Sequence, residues 1–240
     1  MKLLPIIRSM LAIIFYPFLM LFFAILIVLL GFSPSLRKIQ DQVVGCWASS
    51  SLWLFGVKVK GYNLSRLPTS GYLALFNHTS NFDILAVQTL IHKIRFGAKI
   101  ELFSIPFFGS AMKASGALAI ARANRDEVLK VYDGARVRMQ RGECFILSPE
   151  GTRQPIEKLG PFKSGPFLLA IASQCPIVPI AIKGASLIQL KGQKLPNIQH
   201  WHSTIEVFIG EPIPTIGLPE SSKQDLINKV RASFLNLGLS

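Results

Sequence analysis

The run Asn77-His78-Thr79-Ser80-Asn81-Phe82-Asp83 sets a histidine and an aspartate five positions apart. Imidazole is the side chain whose ordinary pKa suits proton transfer near neutrality. A carboxylate on one ring nitrogen fixes the tautomer, raises the basicity and aims the other nitrogen outward. A short loop can fold Asp83 onto His78 in this way. The chain carries no Gly-x-Ser-x-Gly elbow that would supply a nucleophile of its own. A His78–Asp83 pair therefore suits deprotonation of a hydroxyl that belongs to the substrate. Taken alone, the same two residues also read as a cap and a surface group.

A second group is Ser148-Pro149-Glu150-Gly151-Thr152-Arg153. Proline and glycine bracket a sharp turn that displays a carboxylate, a hydroxyl and a guanidinium. The planar fork of Arg153 matches phosphate oxygens, and Gly151 lets the backbone approach a ligand closely. In isolation a solvated turn with a surface ion pair explains this stretch equally well. A third group, Gly116-Ala117-Leu118-Ala119-Ile120-Ala121-Arg122, puts another arginine just past an apolar run.

Groups of this kind need a frame. From Val57 onward, short apolar runs bounded by Gly, Pro or polar residues alternate with longer helical stretches. The pattern predicts strands over 57–60, 72–76, 117–121, 144–147, 177–182 and 204–209, and helices over 83–92, 125–141, 165–174 and 223–235. The second helix is marked by Asn124 and Glu127 at its start, Gly142 at its stop, and a core stripe of Val128, Tyr132, Ala135 and Met139. Strand–helix alternation indicates an α/β fold. His78, Arg122 and the Glu150–Arg153 turn then all follow strands, where α/β domains expose working groups.

Together these segments resemble the glycerolipid acyltransferases typified by 1-acyl-sn-glycerol-3-phosphate acyltransferase. That family carries Asn-His-x4-Asp, then Gly-x-[Ile/Leu/Val]-x-[Ile/Val]-x-Arg, then Phe-Pro-Glu-Gly-Thr-Arg-Ser, then an apolar Val-Pro segment. All four stand here in order, the last as Ile177-Val178-Pro179-Ile180 preceded by Phe162-Lys163-Ser164-Gly165. The likeness runs from about Leu73 to Ile182. Ser148 replaces the usual Phe, Gln154 the usual Ser and Thr79 a frequent Gln, and no chemical group that the reaction needs is lost. The resemblance implies a mixed sheet flanked by helices, His78 as general base and Asp83 as its orienting partner. It also implies that Arg122, Glu150, Gly151, Thr152 and Arg153 form the acceptor-phosphate pocket. Acyl-CoA or acyl-carrier protein would be co-substrate, with no cofactor, metal or covalent acyl-enzyme. The acceptor stays open between lysophosphatidate, glycerol 3-phosphate and another lyso-lipid such as lyso-ornithine lipid.

Composition agrees with a lipid enzyme. The 240 residues are 50% hydrophobic and carry a net charge of +13, which excludes a disordered chain and points to an anionic partner. The greasiest part comes first: Ser9 to Leu36 has no formal charge, is long enough to cross a bilayer, and ends in no cleavage site. Residues 1–56 therefore read as a membrane-anchoring segment and 57–240 as the catalytic α/β domain. Lys2 and Arg8 flank one end of the apolar run, Arg37 and Lys38 the other, and a second apolar stretch covers 43–57. A helical hairpin dipping into one leaflet, with the catalytic domain on the cytoplasmic face, satisfies charges on both flanks. Cys46, Cys144 and Cys175 match no zinc or redox spacing and read as small core residues. His200-Trp201-His202 lacks a third ligand with convincing spacing. Arg136, Arg138 and Arg141 end a helix, as a solvated face or as a contact for anionic lipid or acyl-carrier protein. Nucleic-acid binding would explain the charge and leave the anchor idle. A non-catalytic lipid-binding protein would give no reason for His78, Asp83, Glu150 and Arg153 to occur together.

Overall fold

The computed structural model describes residues 3–155, 158–193, 195–197 and 202–240. The chain runs α1 (Leu3–Gly31), α2 (Arg37–Leu54), β1 (Val57–Tyr62), β2 (Leu73–Phe76), α3 (Phe82–Leu90), β3 (Ile94–Lys99), α4 (Phe108–Ala114), β4 (Leu118–Ile120) and α5 (Arg125–Gln140). It continues with β5 (Cys144–Leu147), α6 (Gly165–Ser173), β6 (Ile177–Lys183), α7 (Ala185–Ile188), β7 (Ser203–Ile209) and α8 (Lys223–Asn236).

The strands form one mixed sheet in the order β1-β7-β6-β2-β5-β3-β4. From β6 to β4 all neighbours are parallel, and β7 joins β6 antiparallel while pairing parallel with β1. The parallel centre is buried on both faces, so β2, β5 and β6 read as nearly unbroken apolar runs. Alternation then divides their side chains. Ala74, Phe76, Ile146, Val178, Ile180 and Ile182 pack with α2, α3 and α7 on one face. Leu73, Leu75, Phe145, Leu147, Ile177 and Ala181 pack with α5, α6 and α8 on the other.

The expected α/β architecture is present, and the predicted strands and helices recur with ends shifted by a residue or two. The stripe on α5 is in place, with Ala135 and Met139 buried and Val128 and Tyr132 packed against them. Asn124 caps the helix, its Oδ1 accepting from the N–H groups of Asp126 and Glu127. The strand absent from the sequence reading is β3. Its Arg95, Gly97 and Lys99 break the apolar pattern, yet Arg95 is buried by an ion pair of 2.7 Å to Asp41. At Gly97 a Cβ would clash with the Leu147 side chain of β5.

Helix α1 is long and apolar enough to cross a membrane, and about half of its large side chains, Ile14, Phe18 and Phe22 among them, are exposed. The second apolar stretch is an amphipathic helix that begins already at Arg37. Its Ala48 and Leu52 join the core beside the sheet, and its Val44 packs with Ala24 and Ile27 of α1. The two helices thus form a hairpin whose second arm belongs to the domain core. Polar groups fasten its turn. Gln40 donates to the carbonyl of Ile27 at 2.8 Å, Arg37 to that of Ala114 at 3.0 Å, and Glu143 accepts from Arg138 at 2.7 and 2.9 Å. Arg138 of the predicted basic cluster is therefore structural, whereas Arg141 is exposed. Cys144 and Cys175 are buried as expected, but Cys46 is exposed on α2, a correction. It stands two positions from Val44 and two from Ala48, about 200° round the helix, and so faces away from the buried Gln40–Val44–Ala48 side. His200 and Trp201 lie outside the described residues.

Candidate active site

Strands β2, β5 and β4 point the same way, so their C-terminal ends deliver the three sequence motifs to one edge of the sheet. At the end of β2 the chain turns through Asn77 to Ser80 and enters α3. Asp83, fully buried in the first turn of that helix, folds back onto the loop. Its Oδ2 lies 2.9 Å from Nδ1 of His78 and accepts the backbone N–H groups of Thr79 and Ser80, each at 2.8 Å. Three donors on one oxygen make the carboxylate the organiser of the loop. It selects the tautomer with a proton on Nδ1 and leaves Nε2 of His78 to accept. The helix N-terminus adds a favourable field for the buried charge.

The neighbouring β5 ends in Ser148, and the turn that follows lies against the histidine loop. The N–H of Gln154 donates to the carbonyl of His78 at 2.7 Å, and the N–H of Lys163 to that of Pro149 at 2.7 Å. Gly151 adopts φ +69, a conformation that any side chain would strain. Glu150 is buried, and its Oε1 accepts from the N–H of Gly160 at 3.3 Å. Burial pushes its carboxyl up to about 7, and the charge of Asp83 pushes the same way. Hydrogen bonds from the Gly160 and His78 backbone and from the Gln154 side chain oppose the shift. His78, Asp83, Glu150, Gly151 and Arg153 are thus brought together, and Thr152 stands exposed at the tip of the turn.

Arg122 lies at the same edge but two strands beyond β5, about 10 Å away by strand spacing alone. Desolvation lowers its pKa, and Glu101 and Tyr132 partly restore it. It is a cation at the rim of the site rather than a partner of the His78 pair.

Several buried polar atoms in these loops have no hydrogen-bond partner among the described residues: Thr79 Oγ1, Asp83 Oδ1, Ser148 Oγ, Glu150 Oε2 and Arg153 Nη1. Buried polar groups are normally satisfied, so this cluster makes the loops a candidate place for a polar ligand group. Sequence reasoning did not assign a role to Asn77 or Gln154. Asn77 clamps β2 to β6, its Nδ2 donating to the carbonyl of Ile182 at 2.8 Å and its Oδ1 accepting the N–H of Ile182 at 2.7 Å. Its place at the head of the histidine motif was the available signal.

An apolar cavity of about 110 Å³ lies between α1, α2 and α3 on one side and β3 on the other. Met20, Phe23, Ile84, Phe96 and Ala111 line it, together with Phe108 at the start of α4. Among the described residues no cluster of three His, Cys, Asp or Glu side chains could hold a metal ion.

The family model described as Acyltransferase matches residues 57–183. The chain is 30% identical over 206 residues to the chloroplastic 1-acyl-sn-glycerol-3-phosphate acyltransferase of Arabidopsis thaliana, covering 85% of this chain and 55% of that one. It spans 57% of the length of a Brassica napus relative. A Haemophilus influenzae 1-acyl-sn-glycerol-3-phosphate acyltransferase is 28% identical, with 87% and 88% covered. The crystal structure of the 1-acyl-sn-glycerophosphate acyltransferase PlsC from Thermotoga maritima shares the fold, with a TM-score of 0.79, 18% identity, and 99% and 98% of the two chains covered.

Proposed function

Because the chain belongs to the acyltransferase family whose members include 1-acyl-sn-glycerol-3-phosphate acyltransferases, we propose that it is a membrane-bound enzyme making phosphatidate. It moves a fatty acyl group from an acyl thioester, acyl-CoA or acyl-carrier protein, to the sn-2 hydroxyl of 1-acylglycerol 3-phosphate.

The observation that carries this reading is the His78–Asp83 pair at 2.9 Å, held beside a turn that presents Arg153. Nε2 of His78 takes the proton of the acceptor hydroxyl, and Asp83 stabilises the imidazolium that forms. The oxygen attacks the thioester carbonyl, and a tetrahedral oxyanion forms that needs N–H donors nearby. When the intermediate collapses, the new C–O bond remains and the C–S bond breaks. The thiolate leaves with the proton that His78 held. Arg153, with Arg122 at the rim, neutralises the acceptor phosphate. Glu150 and Gly151 shape the turn that carries Arg153. The apolar cavity against α1 and α4 accommodates a hydrocarbon chain. Helix α1 holds the enzyme where its lipid substrates dissolve, in a hairpin with its charges on the cytoplasmic face.

The deciding experiment assays the purified protein against lysophosphatidate, glycerol 3-phosphate and lyso-ornithine lipid, each with acyl-CoA and with acyl-carrier protein. Lysophosphatidate should be acylated at least tenfold faster than the other acceptors. Equal or higher rates with another acceptor would reassign the substrate, and no transfer to any would refute the activity.

A further inference from the structure

On the same sheet face as the hairpin, α7 and the loop behind it show a second apolar surface. Ala185 and Ile188 face the core, whereas Leu187 is 71% exposed. The loop that follows carries hydrogen bonds within itself. The N–H of Leu190 donates to Oε1 of Gln193 at 3.1 Å, and that of Gln193 to the carbonyl of Leu190 at 3.1 Å. The N–H of Asn197 closes back on the carbonyl of Ile188. This closed loop presents Leu190 and Leu195 to solvent, 44% and 57% exposed, with Lys191 between them. Its base is fixed. Gly184 adopts φ +86, and a Cβ there would stand 2.5 Å from the carbonyl of Thr204.

Two further observations say what covers this surface. First, it continues the apolar face of α1. Helix α7 packs on β7, whose first residues pair with Val57 and Lys58 of β1. Beside Lys58 lie Trp53, 80% exposed, and Leu11 and Phe15 of α1. The exposed leucines are thus about two strand spacings, roughly 10 Å, from the anchor. Second, the charge has one sign. Between Gly184 and Ser203 the sequence has no acidic residue and two lysines, Lys191 and Lys194, and Lys191 stands exposed beside Leu190. Exposed leucines with Lys191 between them match the interface of an anionic bilayer, which takes up apolar side chains while its headgroups meet the cation.

We propose that α7 and its loop, through Leu187, Leu190 and Leu195, form a second membrane-inserting element. The inference rests on the reading of α1 as a membrane anchor. With α1 it makes a two-point contact that fixes the domain's orientation on the bilayer. The clamp between Asn77 and Ile182 joins the end of β2 to the strand that carries α7. The histidine loop is therefore held one strand from the inserted leucines, and the mouth of the site faces the lipid.

The test reads depth, not activity. In full-length chain carrying Cys46→Ser, either Leu187→Cys or Leu195→Cys is labelled with an environment-sensitive fluorophore, and Gln224→Cys on α8 serves as the comparison. In vesicles of phosphatidylethanolamine and phosphatidylglycerol, labels at 187 and 195 should shift to the blue. Spin-labelled lipid should quench them several-fold more than the label at 224. If either label stays as open to aqueous iodide as position 224, the proposal fails. It fails equally if shielding appears only when an acidic acyl-carrier protein is added, which would make the surface a protein-docking site. Because the readout is independent of turnover, a chain that inserts these leucines but transfers no acyl group would overturn the proposed activity and leave this inference standing.

Discussion

Asn77 and Ile182 exchange two hydrogen bonds, the side-chain amide of one acting as a strand neighbour for the backbone of the other. This pair continues the pairing of β2 with β6 by one residue beyond Phe76, at the point where the chain must leave the sheet to present His78. Asn77→Ala strands both the N–H and the carbonyl of Ile182 in a buried place. Each orphaned group costs about 1–3 kcal/mol, so the expected loss is roughly 2–6 kcal/mol. Denaturant unfolding of the full chain in detergent measures it. Transfer activity should fall in a folded sample as well, since the histidine loop loses its tether.

His78→Ala should abolish transfer while membrane association persists, because the histidine lies in the loop after β2 and belongs to neither hairpin helix. The expected fall is at least a hundredfold, the usual contribution of a positioned general base. Asp83→Asn should reduce activity less steeply while also loosening the loop, as one amide cannot replace an ionised oxygen that meets three donors. Steady-state rates alongside vesicle flotation separate chemistry from anchoring. Substantial turnover by purified His78→Ala would refute the assignment.

The chemistry was legible in the sequence where a few residues carry it within a short span. His78 and Asp83 meet because five residues suffice for a loop and one helical turn. The Glu150 turn meets them because β5 is the neighbour of β2, which spacing along the chain does not reveal. Strand β3 escaped notice for a related reason. Arg95 breaks its apolar run, and the partner that allows its burial, Asp41, sits on a helix 54 positions earlier. Cys46 misled because a cysteine's small apolar side chain is most often buried, whereas the face of α2 decides its exposure. The clamp of Asn77 needs a strand a hundred residues away, so its role could not be read locally.

The ion pair between Arg95 and Asp41 joins β3 to the hairpin, and its removal should uncouple the two. Arg95→Ala leaves Asp41 without its partner in a largely buried setting. Breaking such a pair typically costs about 3–5 kcal/mol. Limited proteolysis should then cut within 32–36 faster than in the unaltered protein. An isosteric Arg95→Met should cost less than Arg95→Ala, because its stem still fills the space against the cavity.

Ala111 lines the apolar cavity and is buried between α1 and α4. Ala111→Phe would fill much of a space of about 110 Å³. If that space takes the hydrocarbon chain, competition between long and short acyl substrates should shift several-fold toward the short one. Transfer of the short chain should continue at close to its original rate. A uniform fall across chain lengths would instead mean that the substitution disturbs packing alone.

Glu150 gives the site a pH signature. Its folded pKa, about 7, stands above the ordinary value of 4.5 because burial disfavours the charge. The native state therefore binds a proton more tightly than the unfolded chain. The resulting stabilisation is fully present below pH 4.5 and is lost as pH rises toward and through 7. Glu150→Gln keeps the shape and the neutral form but removes the titration. Thermal unfolding in detergent at pH 5 and pH 8 should show a larger drop in Tm for the unaltered protein than for the variant. The two proteins should be most alike at pH 5. At pH 8 the variant should be the more stable by a few degrees, because the unaltered protein then holds an ionised carboxylate beside the charge of Asp83. Equal drops for the two proteins would show that Glu150 is already ionised at pH 5. Its place in the turn would then be held by its hydrogen bond to Gly160 rather than by protonation.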